Sequence, residues 1–203
     1  MSARTAFVDL LIFLHGVGSS GDDLAPLAKA WGARLGVAAV SPDAPEPFDQ
    51  AAVGRQWFSV LGVTAANRPA RVEAAAARFD AVVDAAIGAA GTTAERTVLV
   101  GFSQGTIMAL DALVRGRHFA GVLGFSGRLA RDPVASLEGK PILLVHGDAD
   151  GVIPISEAIA ARHALAAAGA EVDFARIAGE GHGIGPAAAA VGYGFLEKLC
   201  AGE

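Results

Sequence analysis

Runs of apolar residues alternate with stretches of helical periodicity along most of the chain. Leu10-Leu11-Ile12-Phe13-Leu14 is apolar at every position. A strand apolar at both parities must be covered on both faces, as in a parallel sheet. Val37–Val40, Thr97–Val100, Gly121–Phe125, Pro141–Val145 and Val172–Ile177 predict five further strands, and a short seventh is expected around Thr5–Val8. Between them lie helical stretches. One covers Leu24–Leu35, with Asp22 or Asp23 placed to cap it. Arg71–Ile87 brings Val72, Phe79, Val82, Val83 and Ile87 close to one face at a period of 3.6. Another helix opens near Thr106, and Ser156–Ala168 and Ala187–Leu199 complete the set. Repeating β-α-β units with short loops predict an α/β fold, a mostly parallel central sheet with helices on both faces.

Two connections depart from this rhythm. Between Phe125 and Pro141 there is only a short polar link, with no room for a helical cap domain, which predicts a shallow, open pocket. Residues 41–67 are long and non-periodic and hold Pro42, Pro45, Pro47, Phe48, Trp57 and Phe58. Long connections of this kind are functional or disordered, and disorder fits poorly with large aromatics. The segment is expected to be ordered and to line a substrate groove with Trp57 and Phe58. The alternative is that both rings plug the core.

Composition narrows the picture. At 203 residues, 53% hydrophobic and 18% charged, the chain suits one packed domain spanning 1–203 and is short for two. A net charge of −5 without a basic cluster argues against nucleic acid and against docking on anionic lipid. No apolar run approaches the roughly 20 residues of a membrane span. The single Cys200 leaves no internal disulfide, and no secretory signal is visible, so a cytoplasmic location is expected. Metal-type Cys/His spacing and a phosphate-binding glycine loop are both missing, and no cofactor or metal is expected.

Candidate chemistry centres on Gly101-Phe102-Ser103-Gln104-Gly105. Strand, Gly-x-Ser-x-Gly, helix is the context of a nucleophile elbow, in which a strained turn lifts the serine Oγ clear of the sheet. Gly101 and Gly105 leave room where strand and helix nearly touch. A serine needs a base, and the base an orienting acid, in the downstream order acid then histidine. His146-Gly147-Asp148-Ala149-Asp150-Gly151 follows one strand and Gly179-Glu180-Gly181-His182-Gly183 follows another. Both lie past strand C-termini, where sites form in open α/β sheets. Among the other histidines, His118 reads as a surface turn and His163 lies within a helix. His15-Gly16-Val17-Gly18 follows the first strand and can aim a backbone N–H at a developing oxyanion, with the Gln104 N–H as the second donor. His15 itself reads as structural.

These residues, with Ile153-Pro154, Pro42-Asp43-Ala44-Pro45 and Arg55-Gln56-Trp57-Phe58, resemble the phospholipase/carboxylesterase family, the acyl-protein-thioesterase-like branch of the α/β-hydrolases in its bacterial form. The resemblance covers nearly the whole chain, and Gly-Phe-Ser-Gln-Gly is far more specific than the generic pentapeptide. It implies Ser103 as nucleophile, Asp150 as acid, His182 as base, and Val17 and Gln104 as oxyanion donors. Asp148 is the rival acid. The family aspartate stands four residues before the proline, which selects Asp150 and leaves Asp148 to brace the loop. Ile153, where valine is common, joins Trp57 and Phe58 as an expected substrate-binding residue. Only nine residues precede Leu10, fewer than the family usually carries. That departure bears on an antiparallel edge hairpin rather than on the chemistry.

The expected function is serine carboxylesterase, acting on small or short-to-medium acyl esters. Acyl-protein thioesterase and lysophospholipase are alternatives, and a non-catalytic ligand-binding α/β-hydrolase is an alternative of another class. The expected partner is a small acyl ester or thioester; a homodimer stays open.

Overall fold

The computed structural model describes residues 8–202. In chain order its elements are β1 (Leu10–Leu14), α1 (Gly21–Leu35), β2 (Ala38–Val40), β3 (Glu46–Pro47), β4 (Arg55–Gln56), α2 (Arg68–Ala90), β5 (Thr97–Phe102), α3 (Gln104–Val114), β6 (Gly121–Phe125), β7 (Pro141–Gly147), α4 (Ile155–Ala167), β8 (Glu171–Ile177) and α5 (Pro186–Ala201). Six strands form one parallel sheet in the order β2-β1-β5-β6-β7-β8. Its strands are the six that the apolar runs predict. The short strand expected around Thr5–Val8 falls outside the described residues except for Val8, which lies in no strand.

The sheet is covered on both faces. Leu10, Ile12 and Leu14 pack with residues of α2, α3 and α4, while Leu11 and Phe13 pack with those of α1 and α5. This period of two explains why β1 is apolar throughout: both parities are interior. Trp31 of α1 meets Phe13 edge-on at 5.8 Å and Tyr193 of α5 at 6.0 Å, fixing the two helices of one layer to each other and to the sheet. The 126–140 link between β6 and β7 contains no helix, so among the described residues no helical cap is inserted between these strands.

The start of α1 differs from the sequence expectation. Ser20 occupies the N-cap position, and Asp22 and Asp23 lie in the first turn. The Gly21 N–H donates instead to Asp43 Oδ1 at 2.8 Å. Gly21 allows this because the 41–43 backbone runs against it: a Cβ there would stand 2.1 Å from the Ser41 oxygen. Asp22 and Asp23 still oppose the helix dipole favourably.

Residues 41–67 are ordered, as expected, and contain the small antiparallel pair β3–β4. The direction of strand addition reverses between β1 and β5. In an open α/β sheet the crevice past the strand C-termini at such a reversal is where ligands bind. The loop after β1 and the turn after β5 both open there.

Candidate active site

Ser103 joins β5 to α3 with φ 52° and ψ −112°, a backbone conformation that non-glycine residues rarely hold. Two glycines permit it. A Cβ on Gly101 would stand 2.5 Å from Thr106 N, and one on Gly105 would stand 2.0 Å from the Leu14 oxygen. The turn is held by the Ser103 N–H donating to the Phe125 oxygen (2.9 Å) and by the first helical bond, from Ile107 N–H to the Ser103 oxygen (3.1 Å).

The structure brings Ser103, His182 and Asp150 together. His182 Nε2 lies 2.9 Å from Ser103 Oγ, and His182 Nδ1 lies 2.8 Å from Asp150 Oδ2. Asp150 Oδ1 accepts the N–H groups of Val152 (2.8 Å) and Ile153 (2.9 Å). Burial alone would raise the Asp150 pKa. The hydrogen bonds from His182, Ile153 and Val152 outweigh it and hold the carboxyl below its ordinary value. Asp150 is therefore ionised and accepts only. The proton of a neutral His182 must sit on Nδ1, leaving Nε2 to accept from the serine hydroxyl.

Asp148 does different work. Its Oδ1 accepts the Gly179 N–H (2.7 Å) and its Oδ2 faces Arg176 Nε (2.9 Å); these bonds lower its pKa. Further bonds join the same two loops, from Asp148 N–H to the Ile177 oxygen and from Ala149 N–H to the Glu180 oxygen, both at 3.0 Å. Glu180 Oε1 also accepts the Gly185 N–H (2.9 Å). The loops carrying Asp150 and His182 thus form one braced unit.

Beside Ser103 lies the loop after β1. A Cβ on Gly16 would stand 3.4 Å from Ser103 Cβ. The N–H groups of Val17 and of Gln104, the first residue of α3, donate to no described residue. His15 is buried. Its Nδ1–H donates to the Gly16 oxygen (2.7 Å) and its Nε2 accepts the Ala44 N–H (3.0 Å). Burial lowers its pKa, and the accepted bond requires the neutral ring. His15 is a structural residue of the loop.

The expected substrate-facing side chains are interior instead. Trp57, Phe58 and Ile153 are 1%, 4% and 5% exposed. The Trp57 ring packs edge-on against Phe79 of α2 at 5.3 Å, and its Nε1–H donates to the His15 oxygen at 2.9 Å. Both the ring and its polar atom are thereby satisfied inside, which is the core-plug alternative. Ile153 serves through its backbone, with its N–H on Asp150 and its oxygen accepting from His146 Nε2 (2.8 Å).

Three contacts have no counterpart in the sequence reading. His146 Nε2 also lies 3.2 Å from Asp150 Oδ2, the oxygen that His182 uses. The Gln104 side chain accepts the Trp57 N–H and donates to the Phe58 oxygen, both at 2.7 Å. Ser126, at φ 48°, donates from Oγ to the Gly183 oxygen (3.4 Å) in the His182 loop. The Gln104 and Ser126 contacts depend on partners distant in the chain and brought close only by the fold, whereas His146 and Asp150 stand four residues apart in one strand-end loop. Among the described residues, no group of three or more His, Cys, Asp or Glu side chains converges as metal ligands.

A family model for phospholipase/carboxylesterase matches residues 1–199. The chain belongs to that family. It is similar to Esterase YpfH of Escherichia coli (strain K12), with 38% identity over 178 residues covering 86% of this chain and 76% of that protein. Acyl-protein thioesterase 1 of Schizosaccharomyces pombe is 29% identical over 167 residues, covering 75% and 71% respectively. Among solved structures, that of esterase PE8 superposes with a TM-score of 0.87 at 29% identity, covering 98% of this chain and 95% of that one. This family member therefore has the α/β-hydrolase fold and the hydrolase chemistry of carboxylic esters.

Proposed function

We propose that this family member is a serine carboxylesterase that works through Ser103, His182 and Asp150, with the backbone N–H groups of Val17 and Gln104 as its oxyanion hole. The observation carrying the reading is the unbroken chain of hydrogen bonds from Ser103 Oγ through His182 to Asp150, at 2.9 and 2.8 Å. Ser103 Oγ attacks the ester carbonyl while His182 Nε2 takes its proton. The carbonyl oxygen becomes anionic and accepts the two N–H groups. As the tetrahedral species collapses, His182 returns the proton to the leaving alcohol, and the acyl group stays on Ser103. Water then enters, loses a proton to His182, and releases the acid. Asp150 remains ionised throughout, fixing the tautomer and stabilising the imidazolium.

Oxygen esters of small or short-to-medium acids are the proposed substrates, since among the described residues no helical cap between β6 and β7 builds a deep tunnel. Thioester hydrolysis is the second reading, favoured by similarity to an acyl-protein thioesterase. The proposed compartment is a reducing cytoplasm, supported by the lone Cys200. No helix among the described residues is long and apolar enough to cross a membrane.

A panel of p-nitrophenyl acetate, butyrate and octanoate, a long-chain acyl-CoA and lysophosphatidylcholine tests the reading. Oxygen esters should turn over, and Ser103→Ala should lose about 10⁴-fold or more in kcat with its melting temperature kept. Turnover of the acyl-CoA above all esters would favour the thioesterase reading. No turnover of any substrate would favour the ligand-binding alternative.

A further inference from the structure

An oxyanion hole acts only if its two donors are held at the right separation before the reaction begins. Here they sit on different elements. The Val17 N–H is on a loop with glycine on either side, and the Gln104 N–H opens α3. One short segment, residues 55–58, bonds to both. The Arg55 oxygen accepts the Gly18 N–H (2.8 Å), and the Arg55 N–H donates to the Ser19 oxygen (2.7 Å). On the other side of Val17, Trp57 Nε1–H donates to the His15 oxygen (2.9 Å). The Val17 peptide is thus pinned before and after. Two residues of the same segment then grip the Gln104 side chain, through Trp57 N–H to Oε1 and Nε2–H to the Phe58 oxygen, both at 2.7 Å. Trp57 and Gln104 are buried, so these bonds meet no competition from water.

From this geometry we infer that Trp57 and the Gln104 side chain are positioning residues that set the separation of the two oxyanion donors. The work of the 41–67 excursion is therefore to build the oxyanion hole rather than to select the acyl chain. This inference rests on the esterase reading above. It has a kinetic signature of its own. A group that fixes the oxyanion donors acts on the transition state and leaves ground-state binding of the acyl chain alone. Its loss lowers kcat by one factor for every acyl length.

Two variants test this. Trp57→Phe removes the indole N–H and keeps an aromatic ring against Phe79. Gln104→Met removes both amide bonds and keeps the backbone N–H. Kinetics on the acetate, butyrate and octanoate esters are measured well below the melting temperature. Rates are taken per Ser103 site titrated with a fluorophosphonate, so a partly folded sample still reports. A trifluoromethyl ketone is the second probe. Ser103 Oγ adds to its carbonyl, His182 takes the proton, and the resulting alkoxide occupies the oxyanion hole. Each variant should lose about tenfold in kcat on all three esters, with KM within about twofold and the ketone Ki rising in parallel. Unchanged kcat per site would overturn the inference and leave the two side chains as core filling. Loss confined to the octanoate KM would overturn it in favour of acyl-chain contact. Absence of Ser103-dependent turnover in the wild type would sink the esterase reading itself, a result separable from either of these.

Discussion

At the scale of single residues, the two aspartates four and two positions after His146 separate by what they touch. The three hydrogen bonds to the Asp150 carboxylate arrive from N–H donors, two backbone groups on Oδ1 and His182 on Oδ2, with His146 Nε2 standing 3.2 Å from that second oxygen. An asparagine at 150 must turn its NH2 toward one of those two sides. If it faces His182, the ring is driven to the wrong tautomer and Nε2 can no longer accept from Ser103. Asp150→Asn should cost about 10⁴-fold in kcat/KM, the size of the loss when a triad acid is amidated. Asp148→Asn keeps an acceptor for Gly179 and loses only a partly exposed pair with Arg176, so its effect should stay within about tenfold. A larger loss in Asp148→Asn would reverse the assignment. The sequence named both aspartates, and family resemblance selected Asp150. It could not reveal His146, because a histidine ending a strand looks the same whether or not a carboxylate faces it. Trp57 was ambiguous for a similar reason. Its deciding partner, the His15 oxygen, lies 42 residues away in the chain.

Elements were more legible than their ends. Continuous apolar runs marked β1, β5, β6 and β7, since a buried parallel strand has no polar face to confuse the reading, whereas the edge strand β8 mixes polar residues into its run and is partly exposed. The end of β7 was misjudged because His146 and Gly147 look like loop chemistry, whereas they still pair with Arg176 and Ile177 of β8. The cap of α1 was missed because it comes from Asp43, in a segment without periodicity. Asp43→Ala should therefore lower stability by about 1 kcal/mol, the usual cost of removing a helix cap. Asp22→Ala loses only a first-turn charge and should cost about 0.5 kcal/mol or less. Thermal unfolding of the two variants side by side decides it, and a costlier Asp22→Ala would show that the first turn caps itself.

The whole molecule explains why four distant stretches of chain meet at one serine. The sheet grows outward in two directions from β1 and β5, so the loops after those strands face each other across the reversal. Next in order come β6, β7 and β8. The loop after β6 carries Ser126, and those after β7 and β8 deliver Asp150 and His182 to the same edge. Order along the chain and position past strand ends were enough to read the loops after β5, β7 and β8 as site loops from sequence, though not the part of Ser126 nor the choice between Asp148 and Asp150. The cross-links that hold the loops in register were not legible, because a hydrogen bond between segments leaves no periodic trace.

The central claim is that Ser103 carries the acyl group during turnover. Wild-type protein is mixed with p-nitrophenyl butyrate, quenched in acid during the first turnover, digested and analysed by mass spectrometry. The account predicts a butyryl adduct on the peptide containing Ser103, with none in Ser103→Ala. Rapid ester turnover with no adduct, or an adduct on another residue, would contradict it.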